Sequence, residues 1–569
     1  MKLIGLLSLI FISLALVESK ARLNQQLLSY YHYCELNTSI VLSDMSISSI
    51  DSELFKGFIY LNKLDLSLNK LKDIDEQTFS GLLNLRSLEL YRNRIKELTP
   101  GVFGSLWNLV DLNLSFNKIK RLDEAVFGSL QKLQSLILTD NQIDHLKPNV
   151  FRGLANLRKL ILQQNRLTEI PAGVFDSLRD LNSLALNFNK IKLIQPRAFD
   201  NLHLLSFLAL SKNELTYLNG TTFSQLTNLR ELYLNNNKLK CLDPELFKNL
   251  TNLKHLYLSN NQIRCFNAST FSGLTYLTSL DAAYNRLNST SAYTFSNLTY
   301  LRKLSLSFNS LRHIENNTFF NLTRLNKLYL SYNELRCINT TTFDGLCSLR
   351  VLALNNNKIR KIYPRSFANL THLTELYLEK NLIVDIGQQP FFNLTRLRSL
   401  QLNYNQIGQL DNTTFANLSS LEVLSLGDNR LNRIEADFFV NLTSLQKLML
   451  GRNQLNFIAS RSFAHLNQLE DLILSGNQLS SLESHVFDSL VSLRRLYLNE
   501  NHLTSIPVHV FEGLKSLREL DLSSNQLVSL DAPSFEGLFN LRILDIARNA
   551  FDSNFDVETF FNITDTLLV

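Results

Sequence analysis

One interval governs this chain: the apolar side chains recur every 24 residues. The segment LRKLSLSFNSLRHIENNTFFNLTR, residues 301–324, shows the unit. Leu301, Leu304, Leu306, Asn309, Leu311, Ile314, Phe319 and Leu322 stand at its positions 1, 4, 6, 9, 11, 14, 19 and 22. Opening leucines recur at Leu61, Leu85, Leu109 and onward to Leu541, which makes 21 units without an insertion. A degenerate copy precedes them, with Asn37, Ile40, Leu42, Met45, Ile47, Ile50 and Phe55. A fixed period of this length is the mark of a solenoid. Each turn touches only its neighbours, so the usual limit on the size of one core does not apply.

Within a unit, the LxxLxL segment alternates, which is strand periodicity. Positions 1, 4 and 6 point inward; positions 3, 5 and 7 point to the opposite face. Stacked units therefore predict a long parallel sheet on one side, with turns and short helical pieces returning on the other. Asn holds position 9 in all 21 units, from Asn69 to Asn549. A buried Asn offers a donor and an acceptor, which suits backbone groups left unpaired where a strand ends. Phe holds position 19 from Phe79 to Phe535. Stacked rings there form an apolar spine, and their bulk bends the stack into an arc with the sheet inside. One unit, residues 277–300, is weak, with Ala282 and Thr290 at core positions. Phe266, in the unit before, is placed to fill the space, and a local change of curvature is expected there.

The pattern LxxLxLxxNxLxxIxxxxFxxLxx resembles the typical 24-residue extracellular leucine-rich repeat. Similar repeats occur in Toll-like receptors, Slit, chaoptin and the acid-labile subunit of the insulin-like growth factor complex. The resemblance implies a leucine-rich repeat horseshoe with a parallel β-sheet on the concave face and turns or short helices on the convex face. It covers nearly the whole chain and says little about function. The chain also departs from the family pattern. Family N-caps usually carry several cysteines, and here there is Cys34 alone. A cysteine-rich C-cap is absent. Thr559 stands where Phe is expected and Phe560 follows one residue late. The end is then either a cysteine-free cap or a truncation.

The expected organisation is a signal peptide at 1–19, a lead-in with the degenerate repeat at 20–60, the array at 61–564 and a short end at 565–569. Residues 550–569 are atypical. Lys2 followed by an apolar run over residues 3–17 reads as a secretory signal. That run is shorter than the roughly 20 residues needed to span a bilayer, and no membrane span is expected elsewhere. A net charge of +6 over 569 residues, without a recognisable binding motif, does not point to nucleic acid. HExxH, GxSxG and phosphate-loop motifs are absent, and the ten His are scattered. The expectation is a protein that is not an enzyme and uses no cofactor or metal.

Asn-x-Ser/Thr occurs 16 times, at Asn37, Asn113, Asn219, Asn249, Asn267, Asn288, Asn297, Asn316, Asn321, Asn339, Asn369, Asn393, Asn412, Asn417, Asn441 and Asn562. Seven fall at position 21 and five at positions 15 or 16, on the return side. Asn113 alone falls on the strand face. Glycans are bulky, so the strand face is the one left for a partner. A repeat-consensus origin for Asn at position 21 is the alternative. Cys241 and Cys265 share position 13 in adjacent units, a spacing that suits a disulfide, with two free thiols as the alternative.

The candidate binding positions are Arg230, Tyr233, Lys254, Tyr257, Tyr284, Arg302, Lys303, Phe308, Lys327, Tyr329, Tyr332 and Arg350. Aromatics mixed with Arg mark interface hot spots, and the positive charge favours an acidic partner. The plain alternative is that Tyr suits a strand surface anyway. The functional expectation is a secreted, glycosylated recognition or scaffold protein. It would bind an extracellular protein, proteoglycan or microbial ligand on its concave face, in an innate-immune or adhesion role, and a homodimer is possible. A structural matrix component and a truncated receptor ectodomain are the alternatives.

Overall fold

The computed structural model describes residues 22–552. The expected signal peptide, Asn562, Thr559 and Phe560 lie outside the described residues. The chain divides between Asp281 and Ala282 into two compact units, inside the weak turn with Ala282 and Thr290.

In the first unit, eleven three-residue strands run from Ser39–Val41 to Ser279–Asp281. Each pairs in parallel with the next at a shift of 24 residues, as Leu64 with Leu88 and Leu232 with Leu256. The register follows from the pattern, since a one-residue slip would turn every core leucine to solvent. Leu61, Leu64, Leu66, Leu71 and Phe79 are buried, and their counterparts repeat this turn after turn. The second unit repeats the plan with eleven strands from Lys303–Ser305 to Ile543–Asp545.

The Asn column ties successive turns together. Asn93 donates from Nδ2 to the Leu66 and Leu90 carbonyls at 2.9 and 3.1 Å. Its Oδ1 accepts the Leu71 amide of the preceding turn at 3.0 Å, an arrangement repeated between Ile95 and Asn117. The side chain therefore satisfies backbone groups that the strand leaves open at its end.

The Phe column forms the expected spine in each unit. Ring centroids are 5.9–6.4 Å apart from Phe79 to Phe223. They are 5.8–6.5 Å apart from Phe295 to Phe415. On the strand side, Tyr233 and Tyr257 stack at 4.5 Å in the first unit. Tyr284, Phe308 and Tyr332 stack at 4.0 and 4.1 Å in the second. Wider spacing behind and closer spacing in front mean that each unit curves with its sheet on the inside.

Two expectations are sharpened by the structure. Of the turns and short helices expected on the return side, it is the turns that form. Among the described residues the helical pieces are Gln25–Tyr30 in the lead-in and one 3-10 turn at Ala532–Phe535. Elsewhere the return is turn, with two-residue strand pairs such as Glu169–Ile170 with Leu193–Ile194. Residues at positions 15–18 are rich in Asp, Asn, Ser and Thr, whose side chains bond nearby backbone and compete with helix. Asp411, for example, accepts from the Thr413 amide at 2.7 Å. The expected disulfide is also not formed: Cys241 and Cys265 are exposed free thiols, as are the other three cysteines. In-register parallel turns hold equivalent side chains about 4.8 Å apart and pointing the same way, whereas a disulfide needs Cβ atoms about 3.8 Å apart.

The lead-in is a cap without a disulfide, its one cysteine, Cys34, being free. Arg22–Leu23 pairs with Ser49–Ile50, and Asn24 caps the helix by accepting the Leu27 amide at 2.9 Å. Leu23, Leu27 and Leu28 are buried, which covers the first turn. The Tyr33 hydroxyl donates to the Val41 carbonyl and accepts the Val41 amide, both at 3.1 Å. It thereby occupies the outer edge of the first strand, a place otherwise open to strand addition.

Candidate functional site

The twelve candidate positions fall into two groups, four in the first unit and eight in the second. In the first unit, Tyr233 packs against Phe207 at 5.3 Å and Tyr257 at 4.5 Å. Its hydroxyl donates to Glu231 Oε2 at 2.8 Å. Burial and the Glu231 carboxylate push the Tyr233 phenol well above its ordinary value. These rings are half-buried and internally engaged, which is the plain strand-surface role.

The second unit is different. Tyr284, Phe308 and Tyr332 occupy position 8, just before the buried Asn, with φ of 54°, 54° and 55°. Position 8 has positive φ in turn after turn, for instance at Arg92, Asn260, Lys380 and Arg452. The chain reverses out of the strand there, and a left-handed residue makes that reversal. Three aromatics in successive turns then stack as one ladder along the edge of the sheet. Tyr284 and Tyr332 remain 48 % and 44 % exposed although they are stacked.

In the same turns, Arg302, Lys303, Lys327 and Arg350 stand at positions 2 and 3, where the strands begin, and Tyr329 at position 5 lies between them and the ladder. Tyr329 is half-buried and the four cations are exposed. Lys303 Nζ stands 5.8 Å from the Tyr329 ring centre, within cation–π range. Among the described residues, none of these cations is in an ion pair. Farther along the same face the charges neutralise one another. Asp471 is buried and takes Arg495 Nε and Nη2 at 2.5 and 2.6 Å, with Lys447 at 3.8 Å. Glu470 pairs with Arg494 at 3.2 Å, and Glu422 with Arg398 at 3.3 Å. The Tyr497 hydroxyl donates to Glu519 at 2.9 Å. The strand face thus has a self-satisfied stretch and a stretch whose positive charge is unanswered.

Of the sequons, thirteen Asn residues are exposed, whereas Asn37 and Asn113 are half-buried. Asn113 Oδ1 is held by the Ser115 amide and hydroxyl at 3.1 and 2.6 Å. Position 21 also has a conformational reason to hold Asn. Asn321, Asn393 and Asn417 have φ of 68°, 70° and 67°, and Gly81, Gly153 and Gly345 occupy the same position with positive φ. Gly and Asn are the residues that accept this backbone best.

Glu379, at position 7 of the strand face, has a carboxyl raised above its ordinary value by burial. Its Oε2 has no hydrogen-bond partner. The folded state therefore binds this proton more tightly than the unfolded chain does. Stability is lost as pH rises through the raised value, and the cost is present in full at neutral pH. Glu379→Gln is expected to stabilise the protein at pH 7 by about 1 kcal/mol. The gain should vanish toward about pH 4, read from urea unfolding at both pH values.

Among the described residues, no three His, Cys, Asp or Glu side chains cluster closely enough to hold a metal ion, and no helix is long and apolar enough to cross a membrane. The arrangement offers a surface for binding: stacked rings, unpaired cations and a curved sheet.

Such a structure is a parallel-sheet solenoid. The chain belongs to the leucine-rich repeat family, whose model (Leucine rich repeat) matches in overlapping stretches from 38–95 through 227–287 and 275–335 to 491–551. No curated protein matches the chain by sequence. Among solved structures, the plant peptide hormone receptor RGFR1 in complex with RGF2 is 27 % identical, with a TM-score of 0.58, over 94 % of this chain and 94 % of that one. TLR13 in its complex with ssRNA13 is 27 % identical, with a TM-score of 0.52, over 89 % of this chain and 84 % of that one. The Drosophila Toll–Spatzle complex is 23 % identical, with a TM-score of 0.64, over 93 % of this chain and 83 % of that one, a likeness of fold.

Proposed function

We propose that this protein is a secreted, glycosylated recognition ectodomain that binds an extracellular protein partner without chemistry. The binding surface is the strip of the second unit that carries Tyr284, Phe308, Tyr332, Tyr329, Arg302, Lys303, Lys327 and Arg350. The observation that carries this reading is an exposed aromatic ladder in the same turns as four exposed cations that are in no ion pair among the described residues, whereas farther along the face Asp471, Glu470 and Glu422 each hold a neighbouring cation. Stacked rings bury large area with little loss of side-chain entropy, and the cations select an acidic surface. Sugars on Asn316, Asn321, Asn339 and Asn369 would shield the return side of the same turns. The complexes of RGFR1 with RGF2 and of Toll with Spatzle fit a role in binding peptide or protein ligands.

The test begins with the full chain expressed in eukaryotic cells. It should appear in the medium and lose mass on enzymatic removal of N-glycans. A panel of purified extracellular proteins then supplies the partner. The Tyr284→Ala/Phe308→Ala/Tyr332→Ala variant should lose about thirtyfold or more in affinity, the effect of about 2 kcal/mol, with an unchanged circular dichroism spectrum. Unchanged affinity would remove the strip from the account.

A further inference from the structure

A hollow on the first unit lies along the edge where the strands begin. It has a volume of about 890 Å³ and is lined by Arg158, Lys159, Asn182, Asn228, Arg230 and Asn252 among others. A second hollow of about 330 Å³, with Arg86 and Lys132, shares Arg158 with it. Together they make one open trough. It spans the turns from Arg86 to Asn252, about 30 Å at one strand spacing per turn.

The trough is positively charged and unneutralised. Arg86, Lys132, Arg158, Lys159 and Arg230 line it, against the single carboxylate of Asp180. Among the described residues, the ion pairs of this unit are Arg22–Asp51, Lys56–Glu53, His145–Asp144, Lys238–Glu214 and Lys248–Glu245. None of them uses a trough cation. Arg86, Arg158 and Arg230 occupy position 2 at intervals of three turns, about 14 Å apart.

The trough also presents acceptors. Asn156, Asn228 and Asn252 donate from Nδ2 to main-chain carbonyls of the preceding turn at 2.7, 2.8 and 2.9 Å. That bond fixes each amide and leaves its Oδ1 available to a hydroxyl donor. Apolar lining is limited to Leu204 and Val110, and no aromatic ring contributes. A single-stranded nucleic acid would find no stacking platform, and a peptide would find no pocket for an anchor. A chain that carries anions and hydroxyls at short, regular intervals satisfies both features.

We infer that this trough binds a linear acidic polysaccharide. The guanidinium groups take its sulfates or carboxylates in forked hydrogen bonds, and the fixed amide oxygens take its hydroxyls. The site is separate from the aromatic strip in residues, unit and ligand.

The experiment is calorimetric titration of the full chain with a heparin oligosaccharide long enough to span about 30 Å, at about 0.15 M salt. Hyaluronan oligosaccharide, polyglutamate and single-stranded RNA are run in parallel. Arg158→Glu/Lys159→Glu/Arg230→Glu should weaken heparin binding about tenfold or more. Lys72→Glu/Lys96→Glu/Lys120→Glu makes the same change in net charge at exposed positions elsewhere on this unit and should leave binding within about twofold. Hyaluronan binding through the same residues would assign carboxylates; heparin binding alone would assign sulfates. Should the reversed triple fail to fold, Arg158→Ala/Arg230→Ala gives the same reading with a smaller loss. No binding at this salt would overturn the inference. So would equal loss from both triples, or tighter binding of polyglutamate or RNA.

Discussion

Asn357→Ala is expected to lower the unfolding free energy by about 3 kcal/mol or more. The side chain is 7 % exposed. Its Nδ2 donates to the Leu330 and Leu354 carbonyls, both at 2.9 Å, and its Oδ1 accepts the Leu335 amide at 3.1 Å. Alanine leaves the buried Leu335 amide of the preceding turn without a partner and takes one donor from each carbonyl, Leu330 keeping Asn333 and Leu354 keeping Asn381. The damage is therefore to the coupling between turns, which is where a solenoid keeps its stability. Urea unfolding followed by circular dichroism should show an earlier and broader transition, because the two sides of the break begin to unfold separately. A loss below about 1 kcal/mol would mean that water replaces the amide and that the Asn column is not the tie.

Phe319→Ala is expected to cost about 3–5 kcal/mol. The ring is 1 % exposed and stacks between Phe295 and Phe343 at 6.5 and 6.4 Å. No neighbour can move in, since each is held by its own turn. Phe535→Ala, at the end of the column, should cost clearly less. That ring is 7 % exposed and tilted 54° from Phe511. Thermal unfolding of the two variants side by side reads the difference, and equal shifts would argue against a cooperative spine.

Much of the fold was legible because one unit is written over twenty times. The leucine positions, the strand segment, the buried Asn and the Phe column all follow from period and alternation, and the turns pair at a shift of 24 residues as the period requires. The return side was harder to read. Positions 15–18 show no helical periodicity, and their side-chain bonds to backbone keep them as turns. The left-handed backbone at position 8 was hidden by its variety, since Leu68, Arg92, Phe116 and Asp140 all adopt it.

The candidate site was half legible. The aromatic and cationic residues were visible; which of them are free was not. Tyr233 and Tyr329 share position 5, yet Glu231 takes the Tyr233 hydroxyl. The signal for such pairing was present in the columns. Lys447, Asp471 and Arg495 share position 3 in successive turns, and stacking brings them together. Reading position 2 with position 24 in the same way points to the trough of the first unit. Cysteine spacing along the chain misleads at Cys241 and Cys265, because stacked side chains run parallel instead of converging.

The most direct test of the recognition account is hydroxyl-radical footprinting of the protein with and without its partner. Oxidation of Tyr284, Phe308 and Tyr332 should fall about fivefold or more on binding, as expected for rings buried at the centre of an interface. Tyr293, Phe320 and Tyr363, which are 49 %, 45 % and 42 % exposed on the return side, should keep their rates. Protection of the return-side rings with the ladder left open would contradict the account.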